Sequence, residues 1–372
     1  MTHRHLPLGE RGGRWRGALD LLAGRYPAFT LGGPLRGVLP VFHFHDERAD
    51  SLEAQLDYLA SNGYRTITAD TMADIIEGRC AVPPRAVMLC FDDAWASVWS
   101  TAAPLLQARG FQAVLYVIPG RTVDAASCRP QRGDATGGSP FATWPELRAL
   151  HASGVCDIQS HTTSHAMVST TDTPTGFLTP SSRIGSLLSL PLREDAPLPV
   201  DHPTAPFVTD DAWGTPLFGP RSRMSDGRRT RHDASATDAC VAHVRQHGGA
   251  EFFTRPAWDA ELRALVHRHA TSDTESDATH EAAITAELDT ARARIEAGIP
   301  GARVRHLCLP WGVTGTVTQR TAARLGIATV VATRWAGRYL VRRGSDPQWI
   351  KRLHSRYIYA LPGRGRRWMF LG

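Results

Sequence analysis

From Gly37 onward the chain alternates short apolar runs of β type with stretches of helical periodicity, the sequence sign of a mostly parallel sheet or barrel. Strands are predicted over 38–45, 65–68, 86–91, 113–118, 155–158, 306–309 and 328–333. The run at 86–91 is apolar throughout, as in a strand covered on both faces. Between them, Asp50 with Glu53 reads as a capping box for a helix that carries Leu52, Leu56 and Leu59 on one face and ends at Gly63. Thr143 with Glu146 reads as a second box. Further helices are predicted over 71–76, over 101–110 with Pro104 starting it, through Ile284, Leu288, Ala291 and Ile295, and over 317–325.

Between 170 and 280 the alternation dissolves into Pro, Thr, Asp and Arg, with apolar islands at 184–192 and 252–258. This stretch reads as a long insertion, partly irregular and partly a cap over the barrel mouth. At 372 residues, one α/β domain with an insertion is the economical plan. The expected layout is a basic segment at 1–36, a barrel at 37–169 and 281–362, the insertion at 170–280, and a basic tail at 363–372. The stretch 346–361 is given no role by its pattern.

Lys and Arg outnumber Asp and Glu by 42 to 36, a net charge of +6, with Arg clustered in the first 36 residues, at 221–231 and at 364–367. Such runs are solvated faces, or peripheral contacts to a membrane or an anionic lipid-linked sugar. No interleaving of basic and aromatic residues points to nucleic acid. The polar, Arg-rich N-terminal stretch lacks the apolar core of a secretory signal, and no run approaches the ~18 apolar residues of a membrane span, so a cytoplasmic protein is expected. Six cysteines without a CxxC pair fit reduced, mostly buried thiols.

Functional groups of β/α barrels gather at the carboxyl ends of strands, and here predicted strands end in His43 and His45, in Asp92-Asp93, and in His161 with His165. Histidines four apart lie on one face of a helical turn and can share a metal, with a carboxylate from another strand as third ligand. Adjacent carboxylates at a buried strand end repel and call for a cation or proton. A surface pair of histidines and an Asp-capped turn are the bland readings of the same residues.

In this order the residues resemble the polysaccharide deacetylases, the NodB-homology domain or carbohydrate esterase family 4, whose fold is an irregular (β/α)7-type barrel. Leu89-Cys90-Phe91-Asp92-Asp93 is similar to the TFDDG motif, with Ala94 in place of Gly, and Ser160 to His165 to the SHTxxH motif. The resemblance implies a hydrolase removing N-acetyl groups from a carbohydrate. Asp92 is then the general base, and Asp93, His161 and His165 hold a divalent metal whose bound water attacks. Zn2+ is the expected ion, with Co2+, Ni2+ or Mn2+ as alternatives. Leu309-Pro310-Trp311-Gly312 is similar to the family's PWG segment, which puts Pro310, Trp311 and Gly312 at the substrate. Many members carry an arginine three residues before that aromatic, where this chain has Cys308.

The family's C-terminal LxxH acid has no counterpart of the right spacing; Leu353-His354 is too short. Pro40 to His45, followed by Gln55-Leu56 and Gly63-Tyr64, resembles circularly permuted relatives that carry the acid at the front. His45 is then the acid, and His43, on the same face by strand periodicity, joins the substrate-binding set. The implied partner is an N-acetylated carbohydrate. Two alternatives stay open: an amidohydrolase-type barrel using His43 and His45 as a metal pair, and a catalytically silent glycan-binding barrel.

Overall fold

The computed structural model describes residues 14–131, 139–182, 212–333 and 337–367. In chain order its strands are β1 (Val41–Phe44), β2 (Arg65–Thr66), β3 (Ala86–Phe91), β4 (Ala113–Val117), β5 (Cys156–Ser160), β6 (Met167–Phe177), β7 (Pro216–Ser222), β8 (Thr230–His232), β9 (Ser272–Thr274), β10 (His306–Cys308), β11 (Thr329–Val331) and β12 (Leu353–His354). The α-helices are α1 (Arg14–Leu22), α2 (Ala49–Ser61), α3 (Ala69–Glu77), α4 (Ala103–Gln107), α5 (Trp144–Ala152), α6 (Ser235–Gln246), α7 (Trp258–His269), α8 (Asp277–Gly298) and α9 (Thr316–Arg324). The chain forms two compact units, one made of His165–Ile284 with Gly315–Thr318, the other of the remaining described residues.

The larger unit is built on one sheet in the order β11-β10-β5-β4-β3-β1-β12, with β2 beside β3, and every strand pairing in it is parallel. The sheet curls into the expected (β/α)7-type barrel. Residues 350–354 bring its two ends together: Ile350 donates to Val330 O at 3.0 Å and its carbonyl accepts from Ala332 at 3.1 Å, while Leu353 and His354 lie in register with Phe42 and His43.

Both faces of the strands are buried, as the unbroken apolar runs require. Val87, Leu89 and Phe91 pack outward with Phe42, Phe44, Leu115 and Val117. Met88 and Cys90 pack on the other side with Val41, Val114, Tyr116 and Cys308. Because side chains alternate along a strand, this parity fixes what lies beyond the strand ends: His43 and His45 share the face of Val41, and Asp92 that of Cys90. Phe29 joins the outward cluster. On α1, Asp20 is fully buried with Lys351 Nζ 3.2 Å away, so the stretch read as a basic segment also ties down the residues before β12.

Helix boundaries differ from expectation at two places. Arg48, not Asp50, occupies the N-cap of α2; Asp50 sits in the first turn, where it accepts from Ser51 N–H and from the Arg48 guanidinium. Ahead of α4 the chain makes a π turn over Val98–Ala102, since Pro104 has no N–H with which to extend a regular turn back to Ser100. At α5, Glu146 does close back on the helix start, accepting from Thr143 N–H at 2.8 Å.

The smaller unit holds the antiparallel pair β6–β7 and the antiparallel pair β8–β9. Phe177, Phe218, Cys240, Val244, Phe252, Leu262 and Val266 form its apolar cluster. Within the stretch 252–258, Phe252 is fully buried; the island at 184–192 lies outside the described residues. No described helix is long and apolar enough to cross a membrane.

Candidate metal and catalytic site

Asp92 and Asp93 follow directly on β3. Asp92 N–H donates to Phe44 O at 3.0 Å, which holds the turn against the end of β1. Asp93 and Ala94 then adopt φ of 68° and 59°, the left-handed region that costs an ordinary residue ~1–2 kcal/mol. This reversal separates the two carboxylates, which are 2% and 5% exposed.

Arg352, one residue before β12, lies against Asp92: Nη1 donates to Oδ1 at 2.7 Å and Nη2 to Oδ2 at 2.5 Å. Burial by itself would raise the Asp92 pKa. The Arg352 charge and its two N–H donors more than reverse that, and hold the carboxyl well below the usual range. Cys308 Sγ lies 3.8 Å from Oδ2, and His45 Nε2 3.7 Å from the same oxygen.

Asp93 faces different company. Its Oδ2 accepts from Trp95 Nε1 at 3.1 Å, and its Oδ1 lies 3.3 Å from His161 Nε2. His161 Nδ1 is 2.7 Å from Cys308 O. A carbonyl only accepts, so Nδ1 carries the proton and Nε2, in the neutral ring, turns a lone pair toward the Asp93 oxygen. Two acceptors at that distance in a buried site call for a cation between them. Without a metal, the cation is a proton: burial disfavours the imidazolium, but Cys308, Asp93 and Asp92 outweigh it and raise the His161 pKa well above its usual value. Burial also raises the Cys308 pKa.

The ligand atoms of Asp93, His161 and His165 lie within 4.8 Å of one another, and so do those of Asp92, His161 and Cys308. Two imidazoles and a carboxylate suit a divalent ion. The second group is the poorer cation site, because the Arg352 charge already sits on Asp92. Neither group contains His43 or His45, so among the described residues nothing favours an amidohydrolase-type pair there.

His43, His45 and His354 gather on one edge of this site. The His43 ring centroid lies 5.6 Å from that of His45 and 5.4 Å from that of His354. Burial first, then the Arg352 charge, pushes the His43 pKa down to about 3, so this ring is neutral across the physiological range. His45 has half its side chain in solvent. His306, a rival acid by composition alone, is fully buried at the start of β10 with Thr329 Oγ1 and Asp70 Oδ1 as partners at 2.8 and 3.0 Å, the opposite end of the strand from Cys308.

The tight Pro310–Gly312 turn follows β10. A Cβ on Gly312 would stand 2.4 Å from Thr333 Oγ1, and its φ is 69°, so only glycine fits. Trp311, partly exposed, has φ 55°.

Residues 80–179 match the family described as polysaccharide deacetylase. That stretch is similar to a polysaccharide deacetylase domain. The chain is 30% identical over 120 residues to a poly-beta-1,6-N-acetyl-D-glucosamine N-deacetylase of Escherichia coli K12, a match covering 32% of this chain and 18% of that protein, so the alignment spans less than a fifth of the relative's length. In fold it is similar to a deacetylase domain, BpsB, of Bordetella bronchiseptica, with TM-score 0.54 and 18% identity over 87% of this chain and 97% of that one. It is also similar to a de-N-acetylase of Aggregatibacter actinomycetemcomitans, with TM-score 0.51 and 16% identity over 85% and 94%.

The sequence reading missed Arg352. Cys308 stands where many members place an arginine, and a guanidinium reaches Asp92 from the residue just before β12 instead. The available signal was a cation inside the strand-like Ile350 to Leu353, between inward and outward apolar positions, and it is a faint one.

Proposed function

We propose that this chain is a metal-dependent carbohydrate N-deacetylase. The observation that carries the reading is a buried carboxylate-and-imidazole set, Asp93, His161 and His165, beside a second carboxylate, Asp92, that is held ionised by Arg352. Asp93, His161 and His165 would hold the ion, Zn2+ being the expected one. When bound, a divalent metal supplies Lewis acidity, polarising the acetamide carbonyl and making water acidic.

The chain's own groups supply the rest. Asp92 takes the proton of the attacking water. Arg352 fixes the orientation of that carboxylate and keeps it ionised, at the expense of some basicity. His45, partly in solvent and 3.7 Å from Asp92 Oδ2, gives a proton to the leaving sugar amine. His43 is kept neutral and so serves as a packing or hydrogen-bonding neighbour. Trp311 offers a flat wall for a pyranose ring, with Pro310 and Gly312 shaping its turn.

The relatives' names make a β-1,6-linked N-acetylglucosamine oligomer the first substrate to try, with lipid-linked N-acetylated sugars beside it. Metal-loaded protein is incubated with each, and acetate release and product mass are measured. Loss of acetyl groups that stops on chelation and returns with Zn2+ or Co2+ is expected. A silent glycan-binding barrel would bind these sugars and leave every acetyl group in place.

A further inference from the structure

Six hydrogen bonds converge on two residues of the loop between His161 and His165, one of them from Gly120 N–H to Thr163 O at 2.7 Å, and none of the chemistry above uses them. Thr163 N–H and Oγ1 both donate to Glu287 O, at 3.1 and 2.8 Å. Ser164 N–H donates to Glu287 Oε2 at 3.0 Å, and Ser164 Oγ to Oε1 of the same carboxylate. From the other side Arg121 Nε donates to Ser164 O at 3.2 Å. The Ser164 peptide is thus gripped at N–H, hydroxyl and carbonyl. Arg121 and Ser164 are 1% and 5% exposed.

The grip sits where the backbone needs it. Thr162 and His165, on either side of the gripped pair, have φ of 64° and 55°, a conformation that β-branched and ring-bearing residues leave when they can. His161 has its own anchor in Cys308 O. His165 follows the gripped pair directly in the chain. We infer that Glu287 is a positioning residue for the metal: its carboxylate and carbonyl hold residues 163–164 so that His165 is presented beside Asp93 and His161. Arg121 is the complementary half of the clamp. The inference rests on the metal reading of those three residues, and it gives a function to a residue supplied from beyond the insertion.

Co2+ is the probe, since its visible spectrum reports coordination as well as affinity. Removing a supporting partner of a metal ligand typically costs ~10–100-fold in affinity. Glu287→Ala is expected to weaken Co2+ binding by that much and to alter the spectrum, with circular dichroism and Tm near those of the parent. Glu287→Gln, which keeps one acceptor, should recover part of the loss, and Ser164→Ala should lose less than Glu287→Ala. Parent-like Co2+ affinity and spectrum in a folded Glu287→Ala protein overturn the inference. Where Glu287→Ala does not fold, the same comparison is made on Glu287→Gln and Ser164→Ala, and parent-like values for both overturn it. Failure of the unaltered protein to bind Co2+ sinks the metal reading itself and the inference with it; binding that His161→Ala abolishes and Glu287→Ala leaves intact sinks only the clamp.

Discussion

Asp92 and Asp93 are neighbours in sequence, almost equally buried, and opposite in how their charge is met. Asp92 is neutralised inside the protein by the two-pronged guanidinium of Arg352, just before β12. Asp93 meets an indole N–H and an imidazole nitrogen. The difference therefore separates a carboxylate held in place by a two-pronged arginine from one that faces the imidazole of His161 and the electrostatic reach of Arg121. It also divides labour: a carboxylate paired with arginine makes a poor metal ligand and an oriented proton acceptor.

The sharpest break of that comparison exchanges charge for an isosteric amide on each side in turn. Asp92→Asn should cut turnover by ~10²–10⁴, the usual worth of a placed proton acceptor, with metal affinity nearly unchanged. Asp93→Asn should do the reverse at the first step, losing metal by more than the ~10–100-fold seen for supporting partners, and activity with it. Equilibrium dialysis beside kinetics separates them. Metal loss in Asp92→Asn with retention in Asp93→Asn would exchange the two assignments.

Next in size is the arginine. Arg352→Ala leaves a buried carboxylate without its partner, a change that costs ~3–5 kcal/mol in comparable sites, read as a lower denaturant midpoint. The sign of the pH effect follows from the lowered Asp92 pKa. Stability from the pair is present above the unfolded carboxylate value and is lost as pH falls toward the folded one. Without Arg352 the folded pKa rises, so the acid limb of kcat/KM should move to higher pH. Cys308→Arg on that background supplies a guanidinium from the position many family members use, and partial recovery is expected. An unmoved acid limb in Arg352→Ala would separate the arginine from the base.

What the sequence revealed follows the same division. The strands were legible because both faces are buried, so Ala86 to Phe91 and Ala113 to Val117 read as unbroken apolar runs. Asp92, Asp93, His161 and His165 were legible because they lie within short motifs. Arg352 and Glu287 were not, since each acts from some hundred residues or more away, and one cation in a strand or one carboxylate on a helix has no local mark. The α2 start was misread for a smaller reason: Asp50 can serve the helix end from the first turn as well as from the cap.

A smaller effect is expected at the acid. His45→Ala should slow the enzyme by ~10²-fold, the lower end for proton transfer. His43→Ala should slow it less, because burial and the Arg352 charge keep His43 neutral. Should His354→Ala, and not His45→Ala, cost the larger factor in kcat, the acid belongs to β12 and not to the residue after β1.

The smallest effect concerns Ala94, where the family's usual residue is glycine. Its φ of 59° explains that preference, since the left-handed region costs alanine ~1–2 kcal/mol and glycine little. Yet Ala94 is 1% exposed and belongs to the outward apolar cluster, and removing one buried methyl costs roughly 0.8 kcal/mol. Glycine would also add freedom to the unfolded chain. The opposing terms nearly cancel, so Ala94→Gly should change stability by less than about 1 kcal/mol, measured as a denaturant midpoint. Metal affinity should stay the same, because the hydrogen bonds that orient Asp92 and Asp93 come from Arg352, Phe44 and Trp95 and not from residue 94. Turnover should follow within about twofold. A gain of tenfold or more on restoring glycine would mean that the reversal after Asp93 is held out of its working geometry by the methyl group. The contrast between an arginine-held Asp92 and an imidazole-facing Asp93 would then describe a site part-way out of use.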